Sequence, residues 1–236
     1  MDIYTYLYGH MGLSDIYDNG SCCSHSSLHP LPEGDMIITE TSATLLAMTC
    51  EPEVLLERAG RTCYKSEDKI TETSAPKFVE MICRRHHESV LEHAVATFMF
   101  TTDRGITHEL VRHRLASYSQ ESTRYVNYYK KGEIRVVKPL GLTDTQEEAW
   151  RIAMQDAEHN YNTMVSLGCT PEVARDVLPT CLAADIAVTA NFREWKHIIK
   201  MRTAQSAHPK IRLLIGMAKT ILQQHAPTVF ADKSPE

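Results

Sequence analysis

Nowhere along the 236 residues does an apolar run approach the eighteen or so needed to cross a bilayer, and the opening MDIYTYLYGHMGLSDIYDNG has no basic leader feeding an apolar stretch. Neither membrane insertion nor secretion is expected. The seven cysteines form no CxxC pair and are odd in number, which argues against a disulfide framework and for reduced thiols in a cytoplasm. A GxGxxG turn is missing, as are a regular βαβ rhythm and any internal repeat, so a doubly wound nucleotide fold is not expected. Positive charge is also in short supply. Twenty-five Lys and Arg against 30 Asp and Glu leave a net −5, which excludes broad attraction to nucleic acid or anionic membrane and makes any anion site local.

What is present is 43% hydrophobic side chains without a low-complexity tract, enough to bury one substantial core. Residues 1–35 include CCSHSSLHPLPEGD, rich in Ser, Pro and His, and are expected to form an irregular appendage of unknown role. Residues 36–236 are expected to form one α+β domain. MIITETSATLLAM is β-prone. CEPEVLLERAGRTCY sets Pro52 inside a helix whose Val54, Leu55, Ala59 and Cys63 recur at helical spacing. SAPKFVEMICRRHH reads as a helix capped by Ser74 that buries Phe78, Val79 and Ile82. VATFMFTT is the strongest strand, and GITHELVRHR a short helix. The long helix in TDTQEEAWRIAMQDAEHNYNTMVSLG has Thr143 and Gln146 at capping-box spacing and Gly168 as terminator. TPEVARDVLP makes a short helix that stops before Pro179, LAADIAVTA a strand, and NFREWKHIIKMR a helix with Asn191 and Glu194 at capping-box spacing. PKIRLLIGMAKTILQQH closes the chain as a helix.

The chemistry concentrates in RHRLASYSQESTRYVNY, Arg112 to Tyr128. Three arginines supply forked, permanently charged donors suited to phosphate or carboxylate, and the hydroxyls of Ser117, Ser119, Ser122 and Thr123 add neutral ones. With its periodicity lost, the stretch reads as a loop with exposed donors. On their own these residues would also fit a solvated basic loop pairing with surface carboxylates. HHESVLEH lacks the HExxH pattern because Leu91 stands at the second histidine position. Cys22, Cys23, His25 and His29 match no common zinc spacing. No metal is therefore expected. Cys181 has no histidine beside it in sequence and reads as a packing residue.

RHR followed after seven residues by Ser122, and running on into STRY, resembles the RHR-x7-S signature of the flavin-dependent thymidylate synthases. HESVLEH, PEVARDVLP, NFREW and MRTAQSAHPKIR follow that family's order, and the resemblance covers roughly residues 45–226. It implies a homotetramer of α+β subunits, each with a central, mostly antiparallel sheet flanked by helices, and with active sites shared between subunits. It also implies reductive methylation of dUMP to dTMP, with FAD as cofactor and with NADPH and methylenetetrahydrofolate as co-substrates. All of these ligands are small anions, which fits a local cationic pocket in an acidic chain. No nucleic acid or membrane partner is implied.

By the same resemblance Arg202 is the catalytic residue, polarising the uracil and making its C5 electron-rich. Glu109, Arg112, Gln120, Glu121, Ser122, Thr123 and Arg124 would line the dUMP pocket, with Arg175 reaching in from a neighbouring subunit. Ser89, Arg112, His113, Arg114 and Gln120 would meet FAD, as would Asn191, Phe192, Arg193 and His197, with His87 near flavin and folate. No protein nucleophile is required, so Ser122 is a binding residue. The chain departs from the usual motif in one respect: Ser119 and Gln120 stand where many members have Asn-Glu. Either Gln120 or the following Glu121 must take over that carboxylate's place.

Two other classes are compatible with parts of the sequence. One is a metal-dependent phosphate hydrolase using His86, His87, Glu88, Glu92 and His93. The other is a nucleic-acid-binding module stacking bases on Tyr118 and Tyr125, which the acidic balance opposes.

Overall fold

MIITETSATLLAM yields two strands, β1 (Ile37–Thr39) and β2 (Ser42–Met48), in a computed structural model that describes residues 36–232. The appendage assigned to residues 1–35, with its Cys22, Cys23, His25 and His29, lies outside the described residues. Helix α1 (Pro52–Thr62) begins on Pro52, whose fixed φ suits a first turn. Helix α2 (Ala75–Arg84) buries Phe78, Val79 and Ile82 as expected. Strand β3 (Val95–Asp103) runs directly into α3 (Arg104–Leu110), and β4 (Ser117–Gln120), α4 (Tyr128–Lys131) and β5 (Arg135–Val137) follow. Helix α5 (Asp144–Ser166) starts with the full Thr143/Gln146 capping box. After it come α6 (Pro171–Ala174), β6 (Ala183–Asn191), α7 (Phe192–Arg202), α8 (Pro209–His225) and α9 (Pro227–Phe230).

The main sheet has the order β2-β3-β6-β4 and is antiparallel throughout. Its central ladder pairs Val95 with Asn191 at one end and Asp103 with Ala183 at the other. A separate pair joins β1 and β5 in parallel. Alternation along β3 and β6 sends Ala96, Phe98, Phe100, Ile186, Val188 and Ala190 to one face, where they are buried against α1, α2, α7, α8 and α9. The Trp195 indole crosses Phe98 and Phe100 edge-on and donates its N–H to the Ala96 carbonyl at 3.0 Å. The opposite face presents Thr97, Met99, Thr101, Asp185, Ala187 and Thr189, all half-buried. Among the described residues, helices thus cover the apolar face of the main sheet. A second cluster, around Tyr128, Val136, Tyr161 and Leu182, packs α5 against the β1–β5 pair.

Four local expectations are corrected. Helix α1 does not bury Val54, Leu55 and Cys63, which are exposed; its inward residues are Pro52, Leu56, Glu57 and Gly60. The reason is Gly60, against which the Phe78 ring packs so closely that a Cβ there would stand 2.6 Å from Phe78 Cε1. Ser74 occupies the N-cap position of α2 without capping it, since its hydroxyl bonds Glu57 Oε2 at 2.7 Å and receives Thr71 N–H at 2.9 Å. The helix expected over GITHELVRHR stops at Leu110, before the RHR triplet. The stretch after that triplet is not all loop: Ser117–Gln120 pairs with β6 as an edge strand, stabilised by backbone bonds that its polar side chains do not announce.

Candidate active site

Because β3 and β6 are antiparallel, the helices that leave them, α3 from Asp103 and α7 from Asn191, start at opposite ends of the ladder. At 1.5 Å per residue α7 covers ~16 Å and α3 ~10 Å, together close to the ~27–30 Å of a nine-residue ladder. Their last turns therefore meet. Arg202, the final residue of α7, donates from Nη1 to Glu109 Oε2 at 2.8 Å and from Nη2 to the Glu109 carbonyl at 2.9 Å. Its Nε donates to His113 Nε2 at 2.9 Å. Three of the guanidinium's five N–H groups are thereby committed and two remain available. The side chain is 16% exposed, reachable from outside yet fixed on three sides.

His113 is buried, and its pKa falls to about 4, first through burial and then through the positive charges of Arg202 and His197. It is neutral at any ordinary pH. The His197 ring stands nearly perpendicular to it at 5.6 Å. Behind it, Glu194 Oε1 lies 3.5 Å from Nδ1, and burial pushes the Glu194 carboxyl upward. The Tyr118 hydroxyl sits 2.7 Å from the Leu110 carbonyl and 2.8 Å from that of His113; burial and the Glu194 charge raise its pKa to about 12.

His113, Glu194 and His197 are the one group of three potential metal ligands found among the described residues. Arg202 already occupies His113 Nε2, and its guanidinium opposes a second cation at that ring.

The residues after the triplet divide between two faces. Gln120 reaches α3, its Nε2 donating to Thr107 Oγ1 at 3.0 Å. Glu121 turns the other way, accepting from the Tyr128 hydroxyl at 2.9 Å and lying 3.5 Å from Arg135, which also pairs with Asp185 at 3.0 Å. Ser122 Oγ accepts from Arg124 N at 3.2 Å, and Thr123 is buried. The Arg124 guanidinium pairs with Glu172 of α6 at 3.0 Å and lies over the Tyr125 ring at 5.4 Å. Arg175, just past α6, is half-buried.

Arg112 and Arg114 are exposed on either side of His113. Asn191 caps α7 through Glu194 N at 2.9 Å. Arg193 is held by Glu92 at 2.6 Å, with Glu88 at 3.8 Å, and His87 and Ser89 are exposed beside this pair. Phe192 is fully buried against Phe230. Its side chain belongs to the core, which leaves its backbone as the part open to a ligand.

The same contacts weigh against both alternatives. Glu88 and Glu92, needed as ligands in a metal hydrolase, are engaged by Arg193 and Lys196. Tyr118, needed for base stacking, is half-buried with its hydroxyl between two carbonyls.

A main antiparallel sheet covered by helices on one face, with an arginine fixed between a carboxylate and a neutral imidazole at a helix junction, defines an α+β protein with a preorganised cationic site. The family model for the thymidylate synthase complementing protein matches residues 44–228. The chain is 37% identical over 199 residues to a flavin-dependent thymidylate synthase of Geobacter sulfurreducens, covering 81% of this chain and 86% of that one. It is 38% identical over 199 residues to the enzyme of the same name from Mycobacterium avium, covering 75% and 78%. The protein belongs to the flavin-dependent thymidylate synthase family. Among solved structures it shares its fold with a UMP/dUMP methylase, PolB, from Streptomyces cacaoi bound with 5-Br dUMP (TM-score 0.73, 21% identity, 83% of this chain and 95% of that one). It shares it also with thymidylate synthase X from Helicobacter pylori with FAD and dUMP (TM-score 0.68, 22% identity, 81% and 98%).

Proposed function

We propose that the junction of Arg202, Glu109 and His113 is where this flavin-dependent thymidylate synthase, which converts dUMP to dTMP with FAD, activates the pyrimidine. The observation that carries the reading is the three-point fixation of Arg202, which leaves two N–H groups to hold a uracil oxygen. Charge that builds up on the ring as it becomes nucleophilic at C5 would meet a guanidinium already oriented, with no reorganisation at the moment of reaction. Glu109 keeps that guanidinium from swinging away. His113 accepts its Nε–H without adding a positive charge.

The exposed side chains fit FAD and the nucleotide as ligands. Arg112 and Arg114 flank a neutral imidazole and suit a diphosphate, His197 lies against the same imidazole, and Arg193 is exposed one turn before it on the helix that Asn191 caps. Bound FAD supplies the redox chemistry that arginine, histidine and carboxylate side chains lack. Gln120, whose amide donates to Thr107 of α3, is the residue we assign to the position where many relatives carry a carboxylate; Glu121, turned toward Arg135, is structural.

Within one chain, Arg202 is tied to Glu109 and His113, whereas Arg124 is tied to Glu172 beside Arg175. This division supports a homotetramer in which the Ser122, Arg124 and Arg175 group completes the site of another copy. Methylenetetrahydrofolate and NADPH complete the reaction as co-substrates. No helix among the described residues is long and apolar enough to cross a membrane, and no disulfide joins the described cysteines; both fit work in the cytoplasm.

Arg202→Ala tests the reading. Turnover of dUMP should vanish while the protein stays yellow, with its visible flavin spectrum intact. Near-normal turnover would end the catalytic role of Arg202.

A further inference from the structure

Asn191 and Glu194 have the spacing of a capping box, in which a glutamate at the third helical position reaches back to the cap. In α5 both halves form, between Thr143 and Gln146. In α7 only the first does, with Glu194 N–H donating to Asn191 Oδ1 at 2.9 Å. The Glu194 carboxylate turns inward, 5% exposed, and places Oε1 3.5 Å from His113 Nδ1. A buried carboxylate costs several kcal/mol unless something compensates. The first turn of α7 offsets part of that cost, but a surface cap would have avoided it altogether. The inward turn therefore calls for a function.

The chemistry of His113 supplies one. Arg202 Nε can only donate, so the 2.9 Å contact requires a bare Nε2. A neutral imidazole with Nε2 bare carries its proton on Nδ1, the nitrogen that faces Glu194. The opposite tautomer would set two N–H groups against each other at Arg202 and aim a lone pair at a carboxylate. At 3.5 Å the Glu194 contact is longer than a hydrogen bond and acts as a negative charge on the Nδ1–H dipole. The charged groups facing the ring are Arg202, His197 and Glu194. Arg202 favours a proton on Nδ1 from the far side of the ring, by donating to Nε2, and Glu194 is the one charge that faces Nδ1 itself.

We propose that Glu194 is a positioning residue for the activating arginine: its carboxylate selects the Nδ1–H tautomer of His113, and so gives Arg202 the acceptor that orients it. The role resembles that of the buried carboxylate which orients an imidazole in hydrolases, with the imidazole here serving a guanidinium. It rests on the reading of Arg202 given above.

The test uses the FAD-loaded protein labelled with 15N-histidine, His113 being assigned by the signal lost in His113→Gln. The expected tautomer in the unsubstituted protein is Nδ1–H with Nε2 bare. Glu194→Gln replaces the charge with the weaker dipole of an amide oxygen and should fall between the unsubstituted protein and Glu194→Met in both Nδ1–H population and kcat. Glu194→Met removes the acceptor; His113 should shift toward Nε2–H, and kcat should fall by about 10- to 100-fold at unchanged KM for dUMP and unchanged flavin content. A proton on Nε2 in the unsubstituted protein overturns the proposal, and that measurement does not depend on any variant folding. A Glu194→Met protein with normal kcat, or one in which KM alone rises, overturns it as well. Failure of the underlying reading is seen separately, as turnover surviving Arg202→Ala while the His113 tautomer stays as stated.

Discussion

Lys210 donates to Asp103 Oδ2 at 2.6 Å inside the protein, 107 positions apart in sequence. The other carboxylate oxygen, Oδ1, accepts Ile106 N–H at 2.8 Å and caps α3. One buried side chain thus starts the helix that carries Glu109 and anchors the first turn of α8, and Lys210 also reaches the Val137 carbonyl at 3.2 Å. Asp103→Asn keeps a capping oxygen but leaves the ammonium without its counter-charge. It should lose about 3–5 kcal/mol in urea unfolding, the typical cost of breaking a buried pair. Asp103→Ala, which also forfeits the cap, should lose about 1 kcal/mol more.

Gly60 and Phe78 make the second test of packing. An alanine methyl would stand 2.6 Å from the Phe78 ring, over which Arg61 also lies at 4.8 Å. Alanine gains about 1 kcal/mol of helix propensity, while overpacking of this kind costs about 1–3 kcal/mol. Gly60→Ala should therefore melt at a lower temperature than the parent, although an exposed helical Gly→Ala change would raise it.

The depressed pKa of His113 sets the sign of an acid effect. An unfolded imidazole takes a proton near 6.5 and the folded one resists until about 4, so the unfolded chain binds more protons in between. Stability referable to His113 is complete above pH 6.5 and declines as pH falls toward 4. His113→Gln should flatten that part of a stability–pH curve measured by denaturant unfolding. An unchanged slope would contradict the neutral, buried imidazole.

Gln120 and Glu121 should separate cleanly in kinetics. Glu121→Gln weakens the contacts to Tyr128 and Arg135 and should cost about 1–2 kcal/mol of stability, with turnover within a few-fold of normal. Gln120→Ala should leave stability nearly unchanged and raise KM for dUMP or lower flavin occupancy. The reverse pattern would assign the site role to Glu121.

Much of this protein could be read from local sequence. Pro52, Thr143 with Gln146, Asn191 and Pro209 mark helix starts because caps and first turns depend on a few neighbouring residues. β3 and β6 are recognisable from their own apolar, β-branched composition. The arginine signature is likewise contiguous, so Arg112, His113, Arg114 and Ser122 could be singled out together, and Arg202 by its place in a later motif.

What only the tertiary structure decided concerns groups far apart in the chain. The inward face of α1 depends on where Phe78 sits. The polar edge strand β4 depends on backbone bonds to β6, and the burial of Phe192 on Phe230. Glu194 could be read only as a cap, and Asp103 and Lys210 not at all, because a carboxylate's partner is set by which helices the ladder brings together. Periodicity and capping are short-range physics, written within a turn or two; the meeting of α3 and α7 over an antiparallel ladder, which brings Arg202 to His113, is not.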